Sequence, residues 1–256
     1  MTEWLSLVAE RAALAPARPR DPLRLAPDGP TVGSIETELA QRLADEGLPL
    51  RPCAAGWHLD GDADAALERL ARWLQEHGLG GRWRNELLAV TDELGRPVAA
   101  IERAAVRPLG ITTHAVHLVL RSPAGAVWVQ QRALDKATDP GLWDTTMGGL
   151  RAAAETVHET LVRETWEEAG LQLAQLLALA PRGRLTVRRP VRDGYMIEHI
   201  DIFEAVLSDG EAPVNQDGEV AAFECVGLAD LHRRLRQDRF TLEAALVLLR
   251  CIPELG

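Results

Sequence analysis

The stretch from Gly149 to Leu171, GLRAAAETVHETLVRETWEEAGL, constrains the fold more than any other part of this 256-residue chain. Four of its five acids stand at Glu155, Glu164, Glu167 and Glu168, with Arg163 ahead of the last three. Gly149 opens the stretch, and Gly170 with Leu171 closes it. Val157, Leu161, Thr165 and Leu171 recur at helix-like intervals, which predicts a helix with one buried side. At about 100° per residue, Glu164, Glu167 and Glu168 share one face of that helix. Like charges at such spacings destabilise an isolated helix by about 0.2–0.5 kcal/mol per pair. Arg163 is the one adjacent cation. A bound divalent ion would resolve the conflict; a solvated acidic face is the alternative.

Read as a pattern, the stretch is Gly, five residues, Glu, seven residues, Arg-Glu, two residues, Glu-Glu, one residue, Gly and an aliphatic residue. It resembles the Nudix box, the diphosphate-handling loop and helix of Nudix hydrolases. Thr165 stands where that box has an aliphatic residue, and its methyl group can still pack. The resemblance implies a hydrolase that cleaves a diphosphate linkage in a small molecule with Mg²⁺ or Mn²⁺. Carboxylate oxygens suit Mg²⁺, which keeps several waters and also binds substrate phosphates. The implied metal ligands are Glu164, Glu167 and Glu168, and the resemblance implies that Glu164, the acid after Arg163, serves as general base in some members and as ligand in others. Glu155 either coordinates through water or pairs with Arg163, which orients the glutamates. Gly149 would bring its backbone carbonyl to the ion, since glycine removes the Cβ obstruction. A further acid from a later loop is expected at Glu219, with Asp217 second; the alternative for both is a turn role in Asn215-Gln216-Asp217-Gly218. Arg132 could grip a phosphate or make a surface ion pair. Trp143 and Tyr195 could stack on a substrate ring, against core packing as the alternative for Trp143.

Length and apolar fraction, 46 %, allow one large domain or two ordinary ones. The net charge of −10 argues against sequence-independent nucleic-acid binding and against anionic lipid surfaces. Cys53, Cys225 and Cys251 are odd in number and in no metal-ligand spacing, which fits free thiols in a reducing cytoplasm. No run of apolar residues is long enough to span a bilayer.

Along the chain, residues 1–15 predict an amphipathic helix and 16–30 an irregular connection rich in Pro and Arg. Residues 34–45 predict a second helix with Ser34 as its N-cap, 48–57 a short strand, and 62–77 a third helix stopped by Gly78. Strand pairs are expected at 86–91 with 97–103, at 114–121 with 126–132, and at 184–189 with 196–207. A strand at 220–226 and helices at 228–235 and 241–251 complete the pattern. His114 and His117, three apart on a strand, fall on opposite faces and are no metal pair. The fold class is α+β: a Nudix α/β/α sandwich with a mixed sheet over residues 109–256, preceded by a smaller, mainly helical N-terminal domain over 1–108.

Outside the box, Trp83–Val90, Ile101–Ala105, Gly110–His117, Lys136–Asp144 and Asn215–Val220 are similar to the thiamine-pyrophosphokinase-related Nudix hydrolases, which carry an extra N-terminal domain. That resemblance implies thiamine diphosphate or damaged analogues of it as substrates. Two other readings are set against it. An isopentenyl-diphosphate isomerase shares the Lys136–Asp144 segment but needs a reactive cysteine, and residues 143–149 hold none. A non-catalytic metabolite sensor on a Nudix fold would lose box glutamates and gain a basic domain; here the box is filled and the chain acidic.

Overall fold

In the computed structural model, which describes residues 3–256, the chain opens with α1 (Glu3–Arg11). The helix ends at Arg11 rather than near residue 15, and residues 1 and 2 lie outside the described ones. Val8 and Ala12 bury its apolar side. Leu14 then leaves in an extended link: its N–H donates to the Arg188 carbonyl at 2.9 Å, and its carbonyl accepts the Tyr195 hydroxyl at 2.8 Å. The stretch expected to be irregular contains β1 (Arg20–Arg24), paired antiparallel with β2 (Thr31–Glu36). The second helix, α2 (Thr37–Asp45), therefore starts three residues past Ser34. Tertiary bonds draw Ser34 into the strand: Arg20 Nε donates to its hydroxyl and its own N–H donates to the Leu109 carbonyl, each at 3.0 Å. Ile35 beside it is fully buried.

Where one short strand is expected, a hairpin forms from β3 (Leu50–Cys53) and β4 (Gly56–Leu59), completing a sheet in the order β2-β1-β4-β3. α3 (Ala63–Glu76) begins where the Asp62 carboxylate accepts the Ala65 N–H, and it stops before Gly78, whose φ is +66°. β5 (Leu87–Thr91) and β6 (Pro97–Glu102) form the expected hairpin. Its turn is closed by Asp92, which accepts the N–H groups of Leu94 and Arg96, each at 2.9 Å. The sequence predicts a mainly helical N-terminal part; the described residues before Pro108 hold three α-helices and also six strands. Leu23, Ile35, Leu43, Leu67, Leu70 and Ile101 sit at the centre of its core. α1 is not part of that core and packs instead against the last helix of the chain.

The second core is a seven-stranded mixed sheet. β7 (Thr112–Arg121) and β8 (Val127–Arg132) pair at only two positions, Leu120 with Trp128 and Arg121 with Val127. Beyond these they splay, and β9 (Trp143–Asp144) joins β8 while β10 (Met147–Leu150) joins β7. α4 (Val157–Ala169) follows directly. β11 (Leu176–Val191) and β12 (Gly194–Leu207) are longer than expected, and β12 lies parallel to β7. The early part of β11 escapes sequence reading because it is an irregular edge, with register shifts between Leu177 and Gly183 and mostly exposed positions. β13 (Val220–Val226), α5 (Leu228–Arg236) and α6 (Leu242–Cys251) end the chain. Leu161 and Ala169 of α4 bury one face of the sheet against Val116, Leu118 and Leu120. α1, α5 and α6 bury the other, giving an α/β/α sandwich. Leu150, at the end of β10, packs against both the N-terminal core and the sandwich. Among the described residues no helix is long and apolar enough to cross a membrane.

Candidate active site

α4 is fixed at both ends. Thr156 and Glu159 cap its start reciprocally, and Gly170, at φ +65°, ends it. Arg163 is the hub of the acidic face. Its Nε and Nη2 form a fork on Glu155 at 2.6 and 2.8 Å, and its Nη1 reaches Glu164 at 2.7 Å and Glu167 at 3.0 Å. Nη2 also donates to the Leu150 carbonyl at 3.1 Å, tying α4 to β10. Glu155 is bonded on both oxygens by Arg163. The Thr160 hydroxyl and the Ala152 N–H donate to it as well. These bonds, Arg163's above all, hold its pKa below the ordinary value.

Glu164 and Glu168 are in the opposite condition. Burial pushes Glu168 up to about 8, and the charge of Glu164 pushes the same way. Its Oε2 accepts the Gln130 Nε2 at 2.9 Å and the Gly148 N–H at 3.0 Å. Burial raises Glu164 to about 7; Arg163 opposes this, and the charges of Glu167 and Glu219 add to it. Two buried carboxylates thus push against each other at the glycines of β10. A side chain on Gly148 would meet the His117 ring, and one on Gly149 would fall on the Glu164 carboxylate. The absence of a side chain at Gly149 thus makes room for Glu164. Gly149→Ala is expected to displace that carboxylate and weaken Mn²⁺ binding at least tenfold (about 1.4 kcal/mol, within the usual cost of overpacking). Calorimetric titration of wild type and variant with Mn²⁺ checks this; equal affinities would contradict it.

The loop between β12 and β13 returns to α4. Val214 donates to the Ala169 carbonyl at 2.8 Å and Gln216 to that of Glu167 at 3.1 Å. This brings Glu219 into electrostatic range of Glu164. Burial works to raise Glu219, but its ion pair with Lys136 outweighs that and holds it below the ordinary value. Asp217 is spent on the turn, accepting the Glu219 N–H at 2.8 Å. Sequence reasoning missed Lys136 and Gln130 as site residues. For Lys136 a signal existed, because it is the sole lysine among 28 Lys and Arg residues. Nothing in the sequence marks Gln130 apart from other strand positions.

The structure does not bring every expected residue to this face. Arg132 is held by Asp144 at 3.3 Å and by the Thr138 carbonyl at 3.1 Å, at the rim beside the Lys136 loop. Trp143 packs in the core of α6, on the other face of the sheet from α4, with the Arg234 guanidinium 5.0 Å from its ring. Tyr195 is buried, and its hydroxyl is used in tethering Leu14. Neither ring offers a stacking surface beside the glutamates.

The donor set fits a divalent cation. Among the described residues, Glu164 Oε2, Glu167 Oε1 and Glu168 Oε1 carry no hydrogen bond, so each carboxylate has an oxygen to give. No three acidic or imidazole groups among the described residues already converge on one point.

Comparison with known proteins bears on the same region. An uncharacterized Nudix hydrolase of Pseudomonas aeruginosa is 38 % identical over 91 residues, 36 % of this chain and 54 % of its own. Nudix hydrolase 20, chloroplastic, of Arabidopsis thaliana is 29 % identical over 188 residues, 70 % of this chain and 49 % of its own. The chain spans about half the length of these curated relatives. Isopentenyl-diphosphate Delta-isomerases are related too, that of Streptomyces coelicolor at 31 % identity over 60 % of this chain and 78 % of its own. A crystal structure from Deinococcus radiodurans shares the fold, with a TM-score of 0.55 at 20 % identity over 65 % of this chain and 99 % of its own. The NUDIX domain model matches residues 112–246, more than half of the chain and all of the acidic helix. The chain belongs to the Nudix family.

Proposed function

We propose that this protein hydrolyses a diphosphate linkage with Mg²⁺ or Mn²⁺ held by Glu164, Glu167 and Glu168. The observation that carries this reading is the acidic face held by Arg163, Gln130 and the Gly148 N–H, on which Glu164, Glu167 and Glu168 each keep an unbonded oxygen. The cation supplies charge neutralisation on phosphate oxygens and lowers the pKa of water. Arg163 orients Glu164 and Glu167, while Gln130 and the Gly148 N–H aim Glu168. Glu164, raised towards neutrality, is suited to accept a proton from the attacking water. Lys136 and Arg132 stand at the rim as counter-charges for the diphosphate, and Glu219 is a further acid that substrate binding would free from Lys136.

The isomerase reading is the weaker one. Cys53 lies in β3, Cys225 in β13 and Cys251 in α6, none of them within the Trp143–Gly149 segment, and burial pushes Cys251 up to about 12. The finer reading, thiamine diphosphate or an altered form of it, rests on the resemblance from Trp83 to Glu219. A cytoplasmic location belongs to the same reading and is supported by the three free cysteines. We also treat residues 1–108 as coupled to 109–256, since Leu87 accepts the Ala153 N–H at 2.8 Å directly before the acidic helix.

The test compares kcat/KM with Mg²⁺ on thiamine diphosphate, its oxidised analogues, ADP-ribose and a nucleoside triphosphate. Thiamine diphosphate or an analogue is expected to lead. A nucleotide better by about tenfold, or 1.4 kcal/mol in transition-state binding, would overturn the finer reading and leave the diphosphatase.

A further inference from the structure

We propose that the cavity between the N-terminal part and the sandwich sheet is the subsite for the organic half of the substrate. It selects a ring-sized group that carries both hydrogen-bond donors and acceptors. The proposal rests on the diphosphatase reading above and names what that site takes.

The cavity has a volume of about 370 Å³ and is walled by both halves of the molecule. Ser34 and Thr91 line it from the N-terminal side, and His114, Arg184 and His199 from the sheet. Sheet register connects it to the glutamates. Gly149, under Glu164, pairs with Val116, Val116 with Asp201, and Asp201 with Arg184. Cross-strand partners share a face, and Val116 packs against α4, so this row lies on the glutamate side. His114 precedes Val116 by two residues and shares its face. Two strand spacings, about 10 Å, separate Gly149 from Asp201, a gap that a diphosphate ester can cross.

A second observation points to a ligand. His114 is only 7 % exposed, and its Nδ1 is buried with no hydrogen-bond partner among the described residues. Its Nε2 lies 3.3 Å from the Thr91 hydroxyl. A buried polar atom without a partner is costly, and a ligand group at the cavity would satisfy it.

The chemistry of the walls sets the class. Burial, helped by the charge of Arg151, pushes His114 down to about 4; burial and Arg184 also lower His199. Both rings are therefore neutral at pH 7, and each can donate from one nitrogen and accept at the other. Arg184 is neutralised by Asp201, with bonds of 2.8 and 2.9 Å. The cavity thus presents no unpaired cation to a second phosphate. No Phe, Trp or Tyr lines it, and hydroxyl, imidazole and charged groups outnumber its aliphatic ones, which disfavours a prenyl chain. A nitrogen heterocycle and a sugar share the required chemistry.

The experiment uses the full chain with Mg²⁺ and the variants His114→Phe and Thr91→Val. Thiamine diphosphate is the heterocycle arm, ADP-ribose the sugar arm, isopentenyl diphosphate the apolar arm and inorganic pyrophosphate the arm without an organic group. On the better polar-ring substrate, KM is expected to rise about tenfold or more with kcat held within about threefold, the size of one lost buried hydrogen bond. KM for pyrophosphate should not move. In parallel, ¹⁵N-histidine spectra of the wild type without metal should show the His114 ring shifting with thiamine or with ribose, whichever arm is right. Unchanged KM in both variants with an unmoved His114 signal would overturn the subsite and leave the diphosphatase standing. A larger response in the isopentenyl arm would also overturn it. If no diphosphate is cleaved while the His114 signal still shifts, the subsite stands and the hydrolase reading falls. Should His114→Phe fail to fold, Thr91→Val and the wild-type spectra still decide.

Discussion

Replacing Glu168 with glutamine is expected to cut Mg²⁺-supported diphosphate cleavage by roughly 10²–10⁴-fold, the range for loss of a positioned catalytic group. The fold should lose nothing. A glutamine carbonyl can still accept from Gln130 and from the Gly148 N–H. The substitution also removes one of two buried charges that repel each other. Glu164→Gln should behave in the same way, losing turnover and keeping its melting temperature. Glu155→Gln gives the contrast. Glu155 is bonded on both oxygens by Arg163, so its loss strips the hub of its strongest partner and should lower stability. Matched kcat measurements and thermal melts separate the two patterns. Wild-type turnover in both Glu164→Gln and Glu168→Gln would remove the basis for the cation site.

The second large effect is a cation-linked change of stability with pH. Glu164 and Glu168 sit at about 7 and about 8 in the folded chain, against an ordinary 4.5. Their folded-state pKa values are raised, so the folded chain holds protons that the unfolded chain has released. Their contribution is full below pH 4.5 and is lost as pH rises through 7 and 8. Histidines with lowered pKa act in the opposite sense below their unfolded value of 6.5. The clear window is therefore from about pH 6.5 to 8.5. Without divalent ions the melting temperature should fall across it, by about 2–4 °C for each kcal/mol lost at this chain length. A cation takes the place of the protons, so Mg²⁺ should raise the melting temperature more at the upper end than at the lower. Glu198, also buried and raised to about 7, adds to the slope but lies outside the cation site. Glu198→Gln should reduce the slope and keep the response to Mg²⁺. The double variant Glu164→Gln/Glu168→Gln should lose the response to Mg²⁺ and keep only the part of the slope that Glu198 supplies. An equal response to Mg²⁺ at the two pH values would count against the assignment.

The acidic helix was legible because its spacing encodes a face, and the same periodicity marks α3 and α6. Strands β9 and β10 were not, since two and four residues carry no period. Yet they enter between β7 and β8 and seat Gly148 and Gly149. Ser34 reads as a helix cap by local rule, but Arg20 and Leu109, distant in sequence, hold it in a strand. Trp143 and Tyr195 show a related limit: an aromatic ring in a loop or at a strand end carries no mark of the face on which it will lie. Lys136 could have been singled out by composition. The His114 cavity could not, because its walls come from segments near residues 33, 92, 112, 184 and 198 that meet only in the folded chain.

Cation-dependent hydrolysis at the glutamate face transfers an oxygen from water to phosphorus. It is tested most directly by running the reaction in ¹⁸O-labelled water with Mg²⁺ and with chelator, on thiamine diphosphate and isopentenyl diphosphate, and reading the products by mass. The expected result is a phosphate product carrying one ¹⁸O, formed with Mg²⁺ and absent with chelator or in Glu168→Gln. An unlabelled product of the same mass as its substrate, or labelled phosphate formed equally well with chelator, would contradict it.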